Sequence, residues 1–244
     1  MDVTVLGSGD AFGSGGRRQS AYLVRGGGQS FLMDCGPTTL AALNDAGVAP
    51  ADVDFVLISH LHGDHFGGIP FLLMEFNYES PRERPLTIAG PRGTEERVRE
   101  LFCAMYREAS GFSPTYPIHF RTLESGRFTE INGIAIEPFA VPHQKVEPSL
   151  GFCVASEGKT IMYSGDSGWT DEFARRSSKT DLFICECCYW ESKYDFHINY
   201  PDLETHLPHI QPGRLVLTHL GREVLRKLDR VKPETAHDGM RIKV

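Results

Sequence analysis

The chain has 244 residues, of which 41% are hydrophobic and 23% are charged, and its formal net charge is -7. These values are typical of a globular protein with a full core, so they exclude a disordered chain, a collagen and a small disulfide scaffold. The acidic balance argues against a protein that grips long nucleic acid through a basic surface. Ten histidines are present, and their placement is the informative feature.

Signals for targeting and compartment point to the cytoplasm. No stretch reaches the about 18 apolar residues of a membrane helix, and the N-terminal residues resemble a first strand and not a signal peptide. The six cysteines lack the CxxC spacing of zinc ribbons and redox pairs. Three of them, Cys185, Cys187 and Cys188, are interpreted as small buried apolar residues and not as ligands. We expect a cytoplasmic protein with reduced thiols and no membrane partner.

The first half of the chain predicts strands that alternate with helices. Gly26, Gly27 and Gly28 join two apolar runs as a hairpin, and Pro37 and Gly47 bracket a helix. The continuous apolar run at 53–59 is typical of a strand that is buried on both faces. We expect strands at residues 3–6, 21–24, 31–33, 53–59, 86–89 and 118–123, and helices at residues 37–46, 66–76 and 94–107.

The second half repeats this order. Asn132-Gly133 and Glu157-Gly158-Lys159 each predict a hairpin turn. We expect strands at residues 127–131, 134–141, 150–155, 160–163, 182–187, 215–218 and 240–244, and helices at residues 171–176, 202–209 and 223–228. The order predicts an α/β fold in a single domain over residues 1–244, built from two β/α halves that meet near residues 110–117. Helices outside two sheets would give αββα layers.

Metal-ligating side chains are concentrated between a buried strand and a helix. Three imidazoles and one carboxylate lie within six positions, at His60, His62, Asp64 and His65. Burying so many polar groups requires a partner, and neutral imidazole and carboxylate are ligands of Zn²⁺ and similar divalent ions. Four ligands in so short a segment crowd one ion, so we expect a pair of ions with further ligands from distant loops.

The HxHxDH motif resembles that of the metallo-β-lactamase superfamily, and weaker matches follow in that family's order along essentially the whole chain. They are Leu6-Gly7-Ser8-Gly9, Asp34-Cys35-Gly36, Val141-Pro142-His143, Pro148-Ser149-Leu150-Gly151-Phe152, Tyr163-Ser164-Gly165-Asp166, Leu217-Thr218-His219-Leu220 and Ala236-His237-Asp238-Gly239. The fourth and the last match look like the ribonuclease Z branch. The resemblance implies the four-layer αββα sandwich of the metallo-β-lactamase type.

The resemblance also implies a ligand set for two divalent ions. It assigns His60, His62 and His143 to one ion, Asp64, His65 and His219 to the other, and Asp166 to both. Zn²⁺ is the favoured metal, and Mn²⁺ or Fe would accept the same nitrogen and oxygen ligands. A water held between two such ions loses its proton at about pH 7, which predicts a binuclear metal-dependent hydrolase that attacks with a bridging hydroxide. Asp64 is thereby also expected to be a catalytic residue.

Three further residues are candidates for handling the substrate. The resemblance places His197 where the ribonuclease Z and related phosphodiesterase branch uses a histidine near the leaving oxygen, so we predict that it is the general acid. Arg17 and Arg18 follow the first strand, and guanidinium groups there could hold a phosphate. The predicted activity is that of a phosphodiesterase on a small anionic phosphodiester or nucleotide substrate.

Other activities of the same scaffold stay open. An acyl hydrolase such as a lactonase or thioesterase is one alternative, and a non-catalytic carrier is another. A transfer-RNA 3′-processing endoribonuclease is a third, but ribonuclease Z carries a long arm between its third histidine and its bridging aspartate. Only 23 positions separate His143 from Asp166, so no arm fits and no long nucleic acid is expected. A homodimer is expected from the resemblance.

Overall fold

The computed structural model describes residues 1–107 and 114–244, and its strands form two seven-stranded sheets. The first sheet has the order β14-β1-β2-β3-β4-β5-β6. Its strands are β1 (Asp2–Gly7), β2 (Ala21–Gly26), β3 (Gln29–Cys35), β4 (Phe55–Leu57), β5 (Leu86–Gly90), β6 (Ile118–Thr122) and β14 (Arg241–Lys243). The strands from β14 to β3 pair antiparallel, whereas those from β3 to β6 pair parallel. The predicted strands of this half are therefore confirmed.

The second sheet has the order β13-β12-β11-β10-β9-β8-β7. Its strands are β7 (Thr129–Ile131), β8 (Ile134–Ala140), β9 (Leu150–Ser156), β10 (Lys159–Tyr163), β11 (Leu182–Glu186), β12 (Arg214–Thr218) and β13 (Glu234–Thr235). Like the first sheet, it joins antiparallel strands to a parallel block. The two-residue strand β13 was not predicted from the sequence.

Both predicted hairpin turns of the second sheet are confirmed. Asn132 and Gly133 have φ angles of 52° and 81°, and Glu157 and Gly158 have φ angles of 53° and 74°. Two successive left-handed residues give the turn whose twist matches that of the flanking strands. Glycine adopts this conformation without strain, which explains its place at the second position of each turn.

Seven α-helices cover the outer faces of the sheets in the described part of the chain. They are α1 (Thr39–Asp45), α2 (Gly63–Phe66), α3 (Ile69–Tyr78), α4 (Thr94–Met105), α5 (Asp171–Ser177), α6 (Tyr200–His206) and α7 (Arg222–Leu225). The predicted helix 66–76 is two helices, because the chain passes close to the end of β3. A Cβ on Gly68 would lie 2.2 Å from the Gly36 carbonyl oxygen. Among these helices, none is long and apolar enough to cross a membrane.

The alternation of side chains along the strands separates the layers. Tyr22 and Val24 point into the core between the two sheets, whereas Leu23 belongs to the cluster under the first-half helices. A third cluster, which includes Phe183 and Leu203, lies between the second sheet and its helices. The layers therefore follow the order αββα, as predicted.

The two β/α halves are not strictly consecutive in sequence. The last strand, β14, returns to the first sheet and pairs with β1, with Val3 opposite Ile242. The predicted junction near residues 110–117 lies partly outside the described residues, and the single domain over 1–244 stays a prediction. The ends of β4, β8, β10 and β12 bring the loops of both sheets to one site.

Candidate metal centre

Seven side chains converge where loops leave the ends of four strands. The HxHxDH segment follows β4 and continues into α2, and single residues follow β8, β10 and β12. The seven are His60, His62, Asp64, His65, His143, Asp166 and His219, which are the ligands that the sequence predicts. In the second sheet β8, β10 and β12 run in the same direction, so their carboxyl ends lie on one side, where the segment after β4 of the first sheet meets them.

His60, His62 and His143 form a three-histidine half of the site. Their ring nitrogens lie within 4.8 Å of one another. His62 Nδ1 and His143 Nε2 are 2.9 Å apart. Burial lowers the pKa of His60 well below its ordinary value and lowers that of His143 to about 4. Only a neutral imidazole has a free lone pair for a metal ion, so these low pKa values favour metal binding by this half.

Asp64, His65, Asp166 and His219 form a carboxylate-rich half. His65 Nε2 lies 3.3 Å from Asp64 Oδ2 and 3.2 Å from Asp166 Oδ1. His219 Nε2 lies 3.3 Å from an oxygen of each carboxylate. Burial opposes charge on both imidazoles, but Asp166 and the other carboxylates outweigh it and raise the pKa of His65 and of His219. The carboxylates therefore attract positive charge to this half.

Asp166 touches both halves of the site. Its Oδ2 atom lies 3.9 Å from His60 Nε2 and from His143 Nε2, and 3.3 Å from His219 Nε2. Burial opposes its ionisation, but His219 and His65 lower its pKa well below the usual range. The preceding Gly165 has a φ angle of 59°, and a Cβ there would lie 2.8 Å from the Leu150 carbonyl oxygen. This turn places the carboxylate within reach of both halves, and its bridging role stays a prediction.

Buried polar atoms without partners show that the residues present fit divalent cations. Among the described residues, His60 Nε2, His65 Nε2, Asp166 Oδ1 and His219 Nδ1 make no hydrogen bond of good geometry, although His65 Nε2 and Asp166 Oδ1 are 3.2 Å apart. Leaving a buried polar atom unpaired is unfavourable by about 1–3 kcal/mol, so several in one cluster require an explanation. A donor set of imidazoles and carboxylates suits Zn²⁺, Mn²⁺ or Fe. The assignment of individual ligands stays a prediction.

Hydrogen bonds behind the histidines aim their rings. His65 Nδ1 donates to Asp34 Oδ2 at 2.7 Å, and His143 Nδ1 donates to the Phe196 carbonyl oxygen at 2.9 Å. Ser59 Oγ lies 3.0 Å from His60 Nδ1. Each bond leaves Nε2 of its ring facing the cluster. The sequence indicated Asp34 only as part of a motif, although a carboxylate inside a buried strand is itself a signal of function.

The ring of His197 packs against one histidine ring from each half of the metal site. Its ring centroid lies 4.9 Å from that of His143 and 5.8 Å from that of His219. Its Nδ1 atom donates to Glu186 Oε1 at 2.9 Å. Burial lowers the pKa of His197, but Glu186 outweighs this and raises it to about 9. The structure thus brings His197 to the site with a proton, while its role as general acid stays a prediction.

Glu186 was not predicted as a site residue. It is fully buried at the end of β11, and its carboxylate also accepts the backbone N–H groups of Ser167 and Cys188. A single charged residue within an apolar strand was the available signal, because a buried carboxylate needs partners. Glu186 fixes the orientation of His197.

Arg17 and Arg18 are bound by the protein itself. Arg17 Nη1 donates to Ser8 Oγ at 2.9 Å and to the Ala236 carbonyl oxygen. Arg18 forms an ion pair with Asp45. These contacts tie the loop after β1 to neighbouring loops, and the structure does not bring either guanidinium into the seven-residue cluster. Their phosphate-binding role stays a prediction without support from these contacts.

The three clustered cysteines divide into two kinds. Cys185 and Cys187 are buried in the apolar cluster under the second-half helices, in line with their interpretation as small apolar residues. The Cys188 sulfur lies within 4.8 Å of ring nitrogens of His197 and His219. Burial raises the pKa of all three thiols, so they are protonated at neutral pH.

A cavity of about 380 Å³ lies between the loop after β1, Tyr189 and the start of α7, and its lining includes neither His197 nor the seven clustered residues. Tyr189 lines it, and the Tyr189 ring lies 5.7 Å from the His197 ring in an edge-to-face arrangement. Phe12 lies at its rim with 79% of the side chain exposed, on a loop whose backbone is held by Asp10. Arg222 and Arg226 complete one wall.

Comparisons with known proteins agree with this geometry. The model of a family described as Anti-Pycsar protein Apyc1 matches residues 1–235. Ribonuclease Z of Mycolicibacterium paratuberculosis is 32% identical over 176 residues, which are 68% of this chain and 63% of that relative's length. The chain therefore spans less than two thirds of that relative.

Solved structures of similar fold cover the whole chain. Human tRNase Z, short form, is 27% identical with a TM-score of 0.76, and the match covers 100% of this chain and 99% of that one. The metallo-β-lactamase fold protein YhfI of Bacillus subtilis is 23% identical with a TM-score of 0.79, over 99% of this chain and 98% of that one. The predicted four-layer fold of the metallo-β-lactamase type and the resemblance to the ribonuclease Z branch are confirmed.

Proposed function

Because the chain belongs to the family described as Anti-Pycsar protein Apyc1 and to the ribonuclease Z-like branch of the metallo-β-lactamase fold, we propose that it is a metal-dependent phosphodiesterase. Its substrate in this proposal is a small phosphodiester or nucleotide. The convergence of five histidines and two aspartates into two halves that share Asp166 carries the proposal.

Two divalent ions fit the site, with the three-histidine half holding one, Asp64, His65 and His219 holding the other, and Asp166 reaching both. Zn²⁺ is favoured by this donor set, with Mn²⁺ or Fe as alternatives. When bound, such a pair supplies a nucleophile at neutral pH and polarises a phosphoryl oxygen. Asp64, at the boundary of the cluster, faces His65 and His219 with the same oxygen and orders both rings.

His197 supplies the proton in this proposal. Glu186 holds Nδ1, which leaves Nε2 to protonate the leaving oxygen. An alkoxide that leaves phosphorus gains from such an acid, whereas an acyl ester is more readily cleaved without one. The position of His197 against both halves therefore favours the phosphodiesterase over a lactonase or thioesterase.

The dimensions of the site favour a small substrate. The segment between His143 and Asp166 contains only a loop and the β9–β10 hairpin, which leaves no room for a protruding arm. The cavity of about 380 Å³ lined by Tyr189, whose ring lies 5.7 Å from that of His197, has the volume of a small-molecule site. Transfer-RNA processing is the second candidate, because the similar proteins are named ribonuclease Z and tRNase Z. We further propose that the protein acts in the cytoplasm as a homodimer.

Metal quantification followed by parallel assays tests this function. The purified protein is expected to hold about two divalent ions per chain. It is expected to cleave bis(4-nitrophenyl) phosphate and small cyclic nucleotides faster than a lactone, a thioester or a precursor transfer RNA. Dominant lactone or thioester turnover would show that the acyl hydrolase is the correct alternative. Accurate cleavage of the precursor would favour the endoribonuclease, and absence of metal and turnover would favour a carrier.

A further inference from the structure

Two buried tyrosines connect the sheets directly behind the carboxylate-rich half. Tyr22, on β2 of the first sheet, places its hydroxyl 2.6 Å from Thr218 Oγ1 on β12 of the second sheet. Tyr163, on β10 of the second sheet, donates to Asp34 Oδ2 on β3 of the first sheet at 2.7 Å. The two ring centroids are 5.0 Å apart. This tyrosine pair therefore spans the space between the sheets in both directions.

Each of these hydrogen bonds ends on a residue next to a predicted metal ligand, either through a contact or along the chain. Asp34 Oδ2 accepts the proton on His65 Nδ1 at 2.7 Å. Thr218 immediately precedes His219, whose φ angle of 53° turns the chain sharply at that point. The rings of His65 and His219 lie with their centroids 5.4 Å apart and face the same two carboxylates. His65 therefore follows a strand of the first sheet, whereas His219 follows a strand of the second sheet.

The contacts of Asp34 indicate that its orientation is set for His65. Its two oxygens also accept the backbone N–H and the hydroxyl of Ser59, at 2.7 and 2.8 Å. Asp34 is fully buried and has a φ angle of 57°, which is unfavourable for a residue other than glycine. Outside a hairpin turn, such a conformation persists where the surroundings hold the residue. Tyr163 is one of the groups that hold its carboxylate.

We propose that Tyr22 and Tyr163 are positioning residues that set the separation between His65 and His219. The proposal rests on the metal site of the proposed function. Apolar contacts between the sheets are not directional, so they define the offset of particular side chains less sharply than hydrogen bonds do. Hydrogen bonds in both directions define the offset, and thereby define where the two imidazoles meet Asp64 and Asp166. The three-histidine half also joins both sheets through His143, but neither tyrosine bonds to a group that contacts its rings directly, since Ser59 lies between Asp34 and His60.

Isosteric variants separate this role from simple core packing. Tyr22→Phe, Tyr163→Phe and Thr218→Val each remove a hydroxyl and retain nearly the same volume. Tyr200→Phe is the matched control, since Tyr200 is equally buried but its hydroxyl bonds to the backbone near Arg230 and Lys232, away from the site. Unfolding curves of all variants show whether each retains the fold.

The measurement is a titration of the metal-free protein with Co²⁺, followed by visible absorption and by bound equivalents. One equivalent is expected to bind about 10–100-fold more weakly in Tyr22→Phe and Tyr163→Phe, with an altered spectrum, while the other is affected less. Tyr22→Phe combined with Thr218→Val should weaken binding no more than either change alone, since both remove one hydrogen bond. Tyr200→Phe should bind both equivalents like the unaltered protein.

The outcomes distinguish this proposal from the proposed function. If the unaltered protein binds two equivalents and both tyrosine variants do so with unchanged affinity and spectrum, the positioning role is refuted while the metal site stands. If Tyr200→Phe weakens the binding of Co²⁺ as much as Tyr22→Phe or Tyr163→Phe does, the effect is one of general stability. The proposal is then also refuted. If the unaltered protein binds no Co²⁺, the metal site is refuted, and the positioning role with it.

Discussion

The two halves of the candidate metal centre are built from the same short segment but differ in charge. His60 and His62 belong to the neutral three-histidine half, whereas Asp64 and His65 belong to the carboxylate-rich half. The division falls at the start of α2, because His62 is extended with φ and ψ of -78° and 146° while Gly63 begins the helix. The change of backbone conformation separates His60 and His62, before it, from Asp64 and His65, after it. Six positions therefore provide ligands for two sites.

The charge difference predicts different contributions from the halves. The carboxylate-rich half attracts a cation through two ionised groups, and at a few ångströms this attraction is strong even at an intermediate dielectric constant. The three-histidine half offers only neutral nitrogen, so its affinity depends on ligand geometry. The halves are coupled because Asp166 reaches both. Substitutions that damage both halves, one half, or neither should therefore have graded effects.

Asp166→Asn is expected to have the largest effect, because it removes the only charge that the halves share. We expect loss of both metal equivalents and a fall in phosphodiester turnover of about 10⁴-fold or more, since each ion contributes several kcal/mol. Metal analysis and kcat/KM for bis(4-nitrophenyl) phosphate measure this. Asp181→Asn, which changes a carboxylate bound to Lys159 far from the centre, is the control and should retain both ions. Retention of both ions by Asp166→Asn would contradict the shared role.

His62→Ala should damage one half alone. His62 is exposed, so the fold should tolerate the change, and the carboxylate-rich half keeps all four of its side chains. We expect one metal equivalent per chain to remain and turnover to fall about 10³-fold, which corresponds to about 4 kcal/mol of lost transition-state stabilisation. Metal analysis of the purified variant checks the stoichiometry.

His119→Ala is the matched control for His62→Ala, because His119 is also exposed but lies on β6 away from the site. It should retain two equivalents and full turnover. Loss of both equivalents from His62→Ala would show that the halves bind metal only together.

His197→Ala should leave both halves intact and impair only proton transfer. We expect two metal equivalents and a fall in kcat of about 100-fold, at the lower end of the range for general acid catalysis. The loss should be greater for an alkyl leaving group than for 4-nitrophenolate, which leaves readily without a proton. A series of aryl and alkyl phosphodiesters measures this dependence. An equal loss across the series, or unchanged turnover, would exclude His197 as the acid.

The fold and the seven clustered residues were predictable from sequence because their signals are local or ordered along the chain. Apolar runs and the turns at Asn132-Gly133 and Glu157-Gly158 define strands by short-range stereochemistry. The HxHxDH spacing identifies the chemistry, and the order of later motifs identifies the distant residues. The cluster forms where one loop of the first sheet meets three loops of the second sheet.

The supporting contacts could not be predicted, because they join residues far apart in sequence. Asp34 contacts His65 and Tyr163, and Glu186 contacts His197 across a loop. A single buried carboxylate in a strand indicates that some partner exists but does not identify it. Arg17 illustrates the opposite case, since its position after β1 predicted a phosphate contact while its guanidinium binds Ser8 and Ala236. Which partner a long side chain takes depends on the tertiary structure.

The smallest expected effect lies outside both halves, at Phe12 on the rim of the cavity that Tyr189 lines. If the cavity receives the base of a nucleotide, Phe12→Ala should raise KM about 10-fold, since stacking of a base on an aromatic ring contributes about 1–3 kcal/mol. The cyclic phosphate of 1,3-propanediol has the same six-membered ring as a 3′,5′-cyclic nucleotide but no base, so its KM should not change. Phe128→Ala is the matched control, because Phe128 is exposed to 63% and lines a different cavity. An equal rise in KM for both substrates would show that Phe12 affects the phosphate site and does not contact the base. The cavity would then not be the site that binds the base.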